Sequence, residues 1–142
     1  MAELMAFQEQ LDGHVLWAGI RNAPEDEQRY PLTGFAPSNS GLIHELVNET
    51  YPAFEPAVLE QTPEMWAQHF ESLLQYIVDH PEITDVMGLE RVSYYEKVLA
   101  YTQQAGVMTY GCVVTTSAQE LLRLLDEGIV TQVWPTDADI KV

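Results

Sequence analysis

The chain has 142 residues, 46% of them hydrophobic and 10% aromatic, which is enough to bury a core and excludes a disordered polypeptide. Its 22 acidic against 6 basic residues give a net charge of −16, which repels phosphate backbones and anionic lipid surfaces and excludes direct binding to DNA or RNA. The single cysteine, Cys112, excludes an intrachain disulfide and a thiolate zinc cluster.

Residues 2–8 alternate weakly and read as a strand. Residues 14–20 (His14-Val15-Leu16-Trp17-Ala18-Gly19-Ile20) read as a second, bulky one, between breaks at Gly13 and Asn22-Ala23-Pro24. Glu25-Asp26-Glu27 is an acidic loop facing solvent. Residues 31–41, with Pro31, Gly34, Pro37 and Gly41, read as a loop across the core pinned by Phe35. Helical spacing then begins with Leu42, Ile43, Leu46 and Val47 and stops before Pro52 and Pro56.

The next helix has a clear start. Thr62 caps it, Pro63 fits its first position and Glu64 complements the dipole. Trp66, Phe70, Leu73, Leu74 and Ile77 share one face, and Pro81 stops the helix after His80. A further helix is predicted from about Leu89 to Gln104, with Val92, Tyr95, Val98 and Leu99 inward and Gly106 as its C-terminal cap. Residues 107–116 are an apolar, β-branched strand in which Cys112 is expected to be a buried, inert thiol. Ser117-Ala118-Gln119-Glu120 spells a capping box: the serine oxygen takes a helix-start amide and Glu120 reaches back to the Ser117 amide. Leu121, Leu122, Leu124 and Leu125 give the following helix its core side, Gly128 ends it, and residues 129–134 read as a closing strand before Pro135. A parallel pair with a right-handed crossover is the expected geometry of this unit.

The expected fold class is therefore α+β. A mixed sheet is built from N- and C-terminal strands, with a helical middle segment at about 41–105 and a β-α-β unit at the end. Residues 1–142 form one domain, with helices chiefly on one side of the sheet.

The four histidines, His14, His44, His69 and His80, lack metalloprotease spacing. Asp79-His80-Pro81-Glu82 reads better as an imidazole near a helix C-terminus than as a metal site. No nucleophile elbow, phosphate loop or dinucleotide fingerprint occurs, and carboxylate pairs are inevitable with 22 acids. No catalytic, cofactor-binding or metal-binding residue is assigned, no cofactor is expected, and the chain is read as a non-enzyme. Tyr94 and Tyr101, seven residues apart on one helix, are the candidate partner surface, since tyrosine joins an apolar body to a polar tip.

The segment Tyr110-Gly111-Cys112-Val113-Val114-Thr115-Thr116-Ser117-Ala118-Gln119-Glu120-Leu121-Leu122, with Leu125 and Val130 beyond it, resembles the C-terminal domain of bacterial sigma factor regulators. Ala2-Glu3-Leu4-Met5-Ala6-Phe7, Val15-Leu16-Trp17-Ala18-Gly19-Ile20 and Tyr30-Pro31-Leu32-Thr33-Gly34-Phe35 are similar to that family's opening strands and aromatic–glycine loop. Thr116, where the family often has glycine, and the Trp134-Pro135 ending depart from the pattern. Residues 107–135 also resemble the C-terminal half of subtilisin-type propeptide inhibitors.

The first resemblance implies the sensory domain of a membrane-anchored anti-sigma factor of Gram-positive bacteria. It would lie on the extracytoplasmic face, control an extracytoplasmic-function sigma factor and act through protein partners. The membrane helix would lie outside this segment: no stretch here approaches the ~20 apolar residues that span a bilayer, and Met1-Ala2-Glu3-Leu4 is no signal peptide. The alternative reading is a free, cytoplasmic, acidic inhibitor or immunity-type protein that blocks a basic partner, which would show as salt-sensitive association.

Overall fold

The computed structural model describes residues 1–24, 27, 32–37, 49–54 and 62–136. The N-terminal segment is helix α1, Ala2–Gln10, and not the predicted strand. Every side chain of Glu3-Leu4-Met5-Ala6 is a strong helix former, and Leu4 and Leu11, two turns apart, are the buried positions, so the helical period overrides the weak alternation. Strand β1, Gly13–Ile20, follows at once, and the short β2, Thr33–Phe35, stands where a loop was expected. Phe35 is buried in the core, as that loop required. The predicted helical stretch at 42–47 and the acidic residues 25–26 lie outside the described residues.

Helix α2, Pro63–Asp79, starts as its sequence dictates. The Thr62 hydroxyl accepts from the Met65 amide at 3.2 Å, and Pro63 opens the first turn. Its inward face carries His69 and Ser72 beside Trp66, Phe70 and Leu74. A short α3, Glu82–Val86, was not foreseen; Gly88, at φ +63°, breaks it from α4, Val92–Ala105, which begins three residues later than expected. Gly106 takes φ +84° at the end of α4, a conformation open to glycine without strain.

Strand β3, Thr109–Thr116, and helix α5, Ala118–Asp126, close the described fold. Of the four leucines expected on the core side of α5, Leu124 is buried and Leu121 half-buried, but Leu122 and Leu125 are exposed, because a helix cannot turn four such close neighbours to one face. The Ser117 hydroxyl accepts from the Glu120 amide at 3.1 Å. Ser117→Ala is accordingly expected to destabilise the protein by about 1 kcal/mol in urea unfolding, with little change in the m-value. The other half of the capping box does not form, because the Glu120 carboxylate is committed elsewhere. The closing strand at 129–134 does not form either. Gly128 turns the chain at φ +68°, the amides of Ile129 and Val130 both bond back to the Leu124 carbonyl, and the two side chains fold onto the core. The β-α-β ending thus stops at α5.

The sheet has the order β2-β1-β3 and is antiparallel throughout rather than mixed, so no crossover is needed. The α+β class stands, as does the joining of strands from the two ends of the sequence: Gly13 pairs with Thr116, Ala18 with Cys112 and also with Phe35. Val15, Ala18, Ile20 and Phe35 point to the inner face. There they meet Leu4 and Leu11 beside α1, Trp66, Phe70 and Leu74 of α2, Tyr95, Val98 and Leu99 of α4, and Leu124 of α5 in one apolar cluster. Phe35 stacks on Trp66 at 5.2 Å between ring centroids and lies 5.9 Å from Phe70, which joins sheet to helices.

Candidate functional site

The outer face of the sheet is built differently. The register places Trp17 beside Val113, and Gly19 between Gly34 and Gly111, on the side away from the helices. Glycine here makes room for the indole. A Cβ at Gly19 would come within 2.8 Å of Trp17 Cζ3, and one at Gly34 would collide with both the Trp17 ring and the Ala18 carbonyl. The indole therefore lies flat across two strands. Above Gly111 the space is open, since a Cβ there would touch nothing within 4 Å.

The strands β1 and β3 also carry exposed apolar groups. Tyr110 is 53% exposed, Val113 43% and Leu16 47%, the last beside an irregularity between Val15 and Trp17 that shifts the register. Cys112 is exposed, contrary to the sequence expectation, because among the described residues β3 is the edge strand and is paired on one flank. Partial burial against its neighbours still pushes the thiol pKa up, which keeps it a poor nucleophile. None of the 22 acidic residues lies in the three strands. In a chain of charge −16 this is an uncharged, apolar and hydrogen-bonding surface, the kind that recognises protein.

Several titratable groups elsewhere among the described residues tie elements of the fold together. Glu120 is buried at the junction of α5 with the α1–β1 turn. It accepts from the Asp12 amide at 3.2 Å and from Arg123 Nε at 2.8 Å and Nη2 at 2.6 Å. Hydrogen bonds from Arg123 and then from the Asp12 amide hold its carboxyl at about 2, well below the ordinary 4.5. Arg123 also reaches the Gln10 carbonyl at 3.0 Å and Glu127, so it clasps α5 to the end of α1. Asp12, Ser117, Gln119, Glu120 and Arg123 line a small polar notch whose floor is this clasp.

His69 is buried on α2 and donates from Nδ1 to the Ala53 carbonyl at 2.9 Å, with its ring edge-on to Phe35 and Trp66. Burial, partly opposed by the carbonyls of Ala53 and Phe54, pushes its pKa below the ordinary 6.5. A depressed folded value means that stability is complete above the unfolded pKa and falls as pH drops. His69 therefore produces a first loss of stability starting near pH 6.5. Glu120 produces a second, between its unfolded 4.5 and its folded value of about 2. Urea unfolding across this range is expected to show both declines, His69→Gln flattening the upper and Glu120→Gln the lower.

Asp79 accepts from the Tyr51 hydroxyl at 2.9 Å and from Gln75 at 2.8 Å, while His80 faces Glu82 at 3.3 Å. No three His, Cys, Asp or Glu groups gather so as to hold a metal ion among the described residues. Tyr94 and Tyr101 are both half-buried on α4. The Tyr94 hydroxyl accepts from the fully buried Asn22 at 2.8 Å, its ring sits edge-on to Tyr95 at 5.2 Å, and burial pushes its pKa up. The Trp17–glycine arrangement was not foreseen. Its signal was present as Trp17-Ala18-Gly19, two residues of one strand face with the smaller beside the larger.

No helix is long and apolar enough to cross a membrane among the described residues. A family model described as sigma factor regulator C-terminal matches residues 1–133. No curated protein and no solved structure matches the chain.

Proposed function

The chain belongs to the sigma factor regulator C-terminal family, and from that premise we propose that it is the extracytoplasmic sensory domain of a membrane-anchored anti-sigma factor. In this reading a separate segment of the same protein holds an extracytoplasmic-function sigma factor, one helix crosses the membrane of a Gram-positive bacterium, and residues 1–142 act outside as one regulatory unit. The family match over nearly the whole chain supports a regulatory role rather than catalysis. The uncharged outer face of the sheet supports a role carried out by protein contact. Tyr94 and Tyr101 contribute a second contact zone on α4, through the parts of their rings left open to solvent.

Two measurements test this. In protoplasts of the host, an epitope tag at residue 142 of the full-length gene product is expected to be digested by added protease without lysis. Deleting the coding region for residues 1–142 is expected to uncouple a sigma-dependent reporter from its inducing stress while the sigma factor stays bound. A tag digested only after lysis, or a stress response unchanged by the deletion, refutes the reading. Tyr101→Ala is expected to blunt induction without lowering the melting temperature.

A further inference from the structure

We propose that β3 is a self-association edge, and that two copies of this chain join β3 to β3 in antiparallel fashion into one continuous sheet. The proposal rests on the strand itself and stands apart from the cellular role given above.

β3 is the terminal strand of the sheet over eight residues, and its outward N–H and C=O groups have no backbone partner among the described residues. Soluble proteins protect such edges with lysine, proline, inward charges or brevity. β2, the opposite edge, is protected by its length of three residues. β3 has neither proline nor charge, and no charged residue occurs anywhere from Val98 to Gln119. Tyr110, Gly111, Cys112 and Val113 in its middle are all exposed.

Charge selects the occupant. A basic partner would be drawn to the carboxylates, which are absent from this strand. Two chains of charge −16 repel one another least where neither carries an acid, and the sheet is such a place. An antiparallel pair is also self-complementary: a two-fold axis near Cys112 and Val113 sets each half of the strand against the other half of its copy. The paired strands run about 27 Å, and the exposed Val113, which the register sets beside Trp17, extends the contact on the outer face. That is a small interface, of the size that gives weak, reversible dimers.

The test is sedimentation equilibrium of the purified chain at about 0.05 M and about 0.5 M salt. The expected result is a monomer–dimer equilibrium in the range of about 10–100 µM that tightens several-fold at the higher salt, as repulsion is screened. Val113→Lys, at an exposed position, is expected to weaken it at least tenfold with an unchanged circular dichroism spectrum. A short bismaleimide linker is expected to join Cys112 to Cys112 in the wild type and not in Val113→Lys. Monomer at every concentration, a dimer that loosens with salt, or a dimer that survives in folded Val113→Lys without the Cys112 cross-link would overturn the proposal.

Discussion

Replacing Phe70 by alanine is expected to lower the unfolding free energy by about 3–5 kcal/mol, a large share of what a domain of this size has. Phe70 is 2% exposed and sits where α2 meets the sheet through Phe35. The void cannot close easily. Phe35 is fixed by its pairing with Ala18 and by its stack on Trp66, and Leu74 is held in the same helix one turn on. Truncation therefore removes the transfer energy of a ring and leaves an unfilled space beside β2. Urea unfolding measures the loss, and Leu122→Ala on the exposed side of α5 is the control, expected within about 0.5 kcal/mol of wild type. A Phe70→Ala loss below about 1 kcal/mol would show that the helix layer does not depend on this contact.

The second large effect is expected at Gly34. A methyl group there meets the carbonyl of Ala18 and the indole of Trp17 together. The ring can lift away, but the carbonyl belongs to the strand with which Gly34 is paired through Gly19, so relief means parting β2 from β1. Gly34→Ala is expected to cost about 3 kcal/mol and to speed amide exchange in residues 33–35. Gly111→Ala makes the comparison sharp. It lies in the next strand on the same face, in open space, and is expected to change stability by no more than about 0.5 kcal/mol.

Much of this arrangement was legible in the residues. Thr62-Pro63 located the start of α2 because a hydroxyl acceptor and an imino acid both suit a helix's first turn. Residues 107–116 had the β-branched run of a strand, and Ser117 marked the helix after it. The misreadings have two causes, a second local pattern that outweighed the first and packing elsewhere in the chain. At 129–134 a strong β composition lost to the capping bonds from Ile129 and Val130 to Leu124. At Glu120 the capping box lost to a partner 108 positions away, Asp12, and to Arg123 one turn on. Asp12 is invisible in any window of sequence, whereas Arg123 and Leu124 lie within one and compete there with the pattern that was read. Cys112 looked buried because its neighbours are apolar, and only the strand order reveals that it stands on an edge. The family resemblance was carried by segments such as residues 110–122 and 15–20, and the family model that matches residues 1–133 bears it out.

The flat indole across Gly19 and Gly34 makes the protein its own optical gauge. Of the three tryptophans, Trp66 is 4% exposed and Trp134 is 75% exposed, so one emits from the core and the other from water. Trp17 lies between these extremes, on the face open to visitors. In a chain with Trp66 and Trp134 changed to phenylalanine, its fluorescence would shift to shorter wavelength and resist acrylamide quenching whenever that face is covered. An occupant too weakly bound to survive isolation would still be seen in the colour of the light.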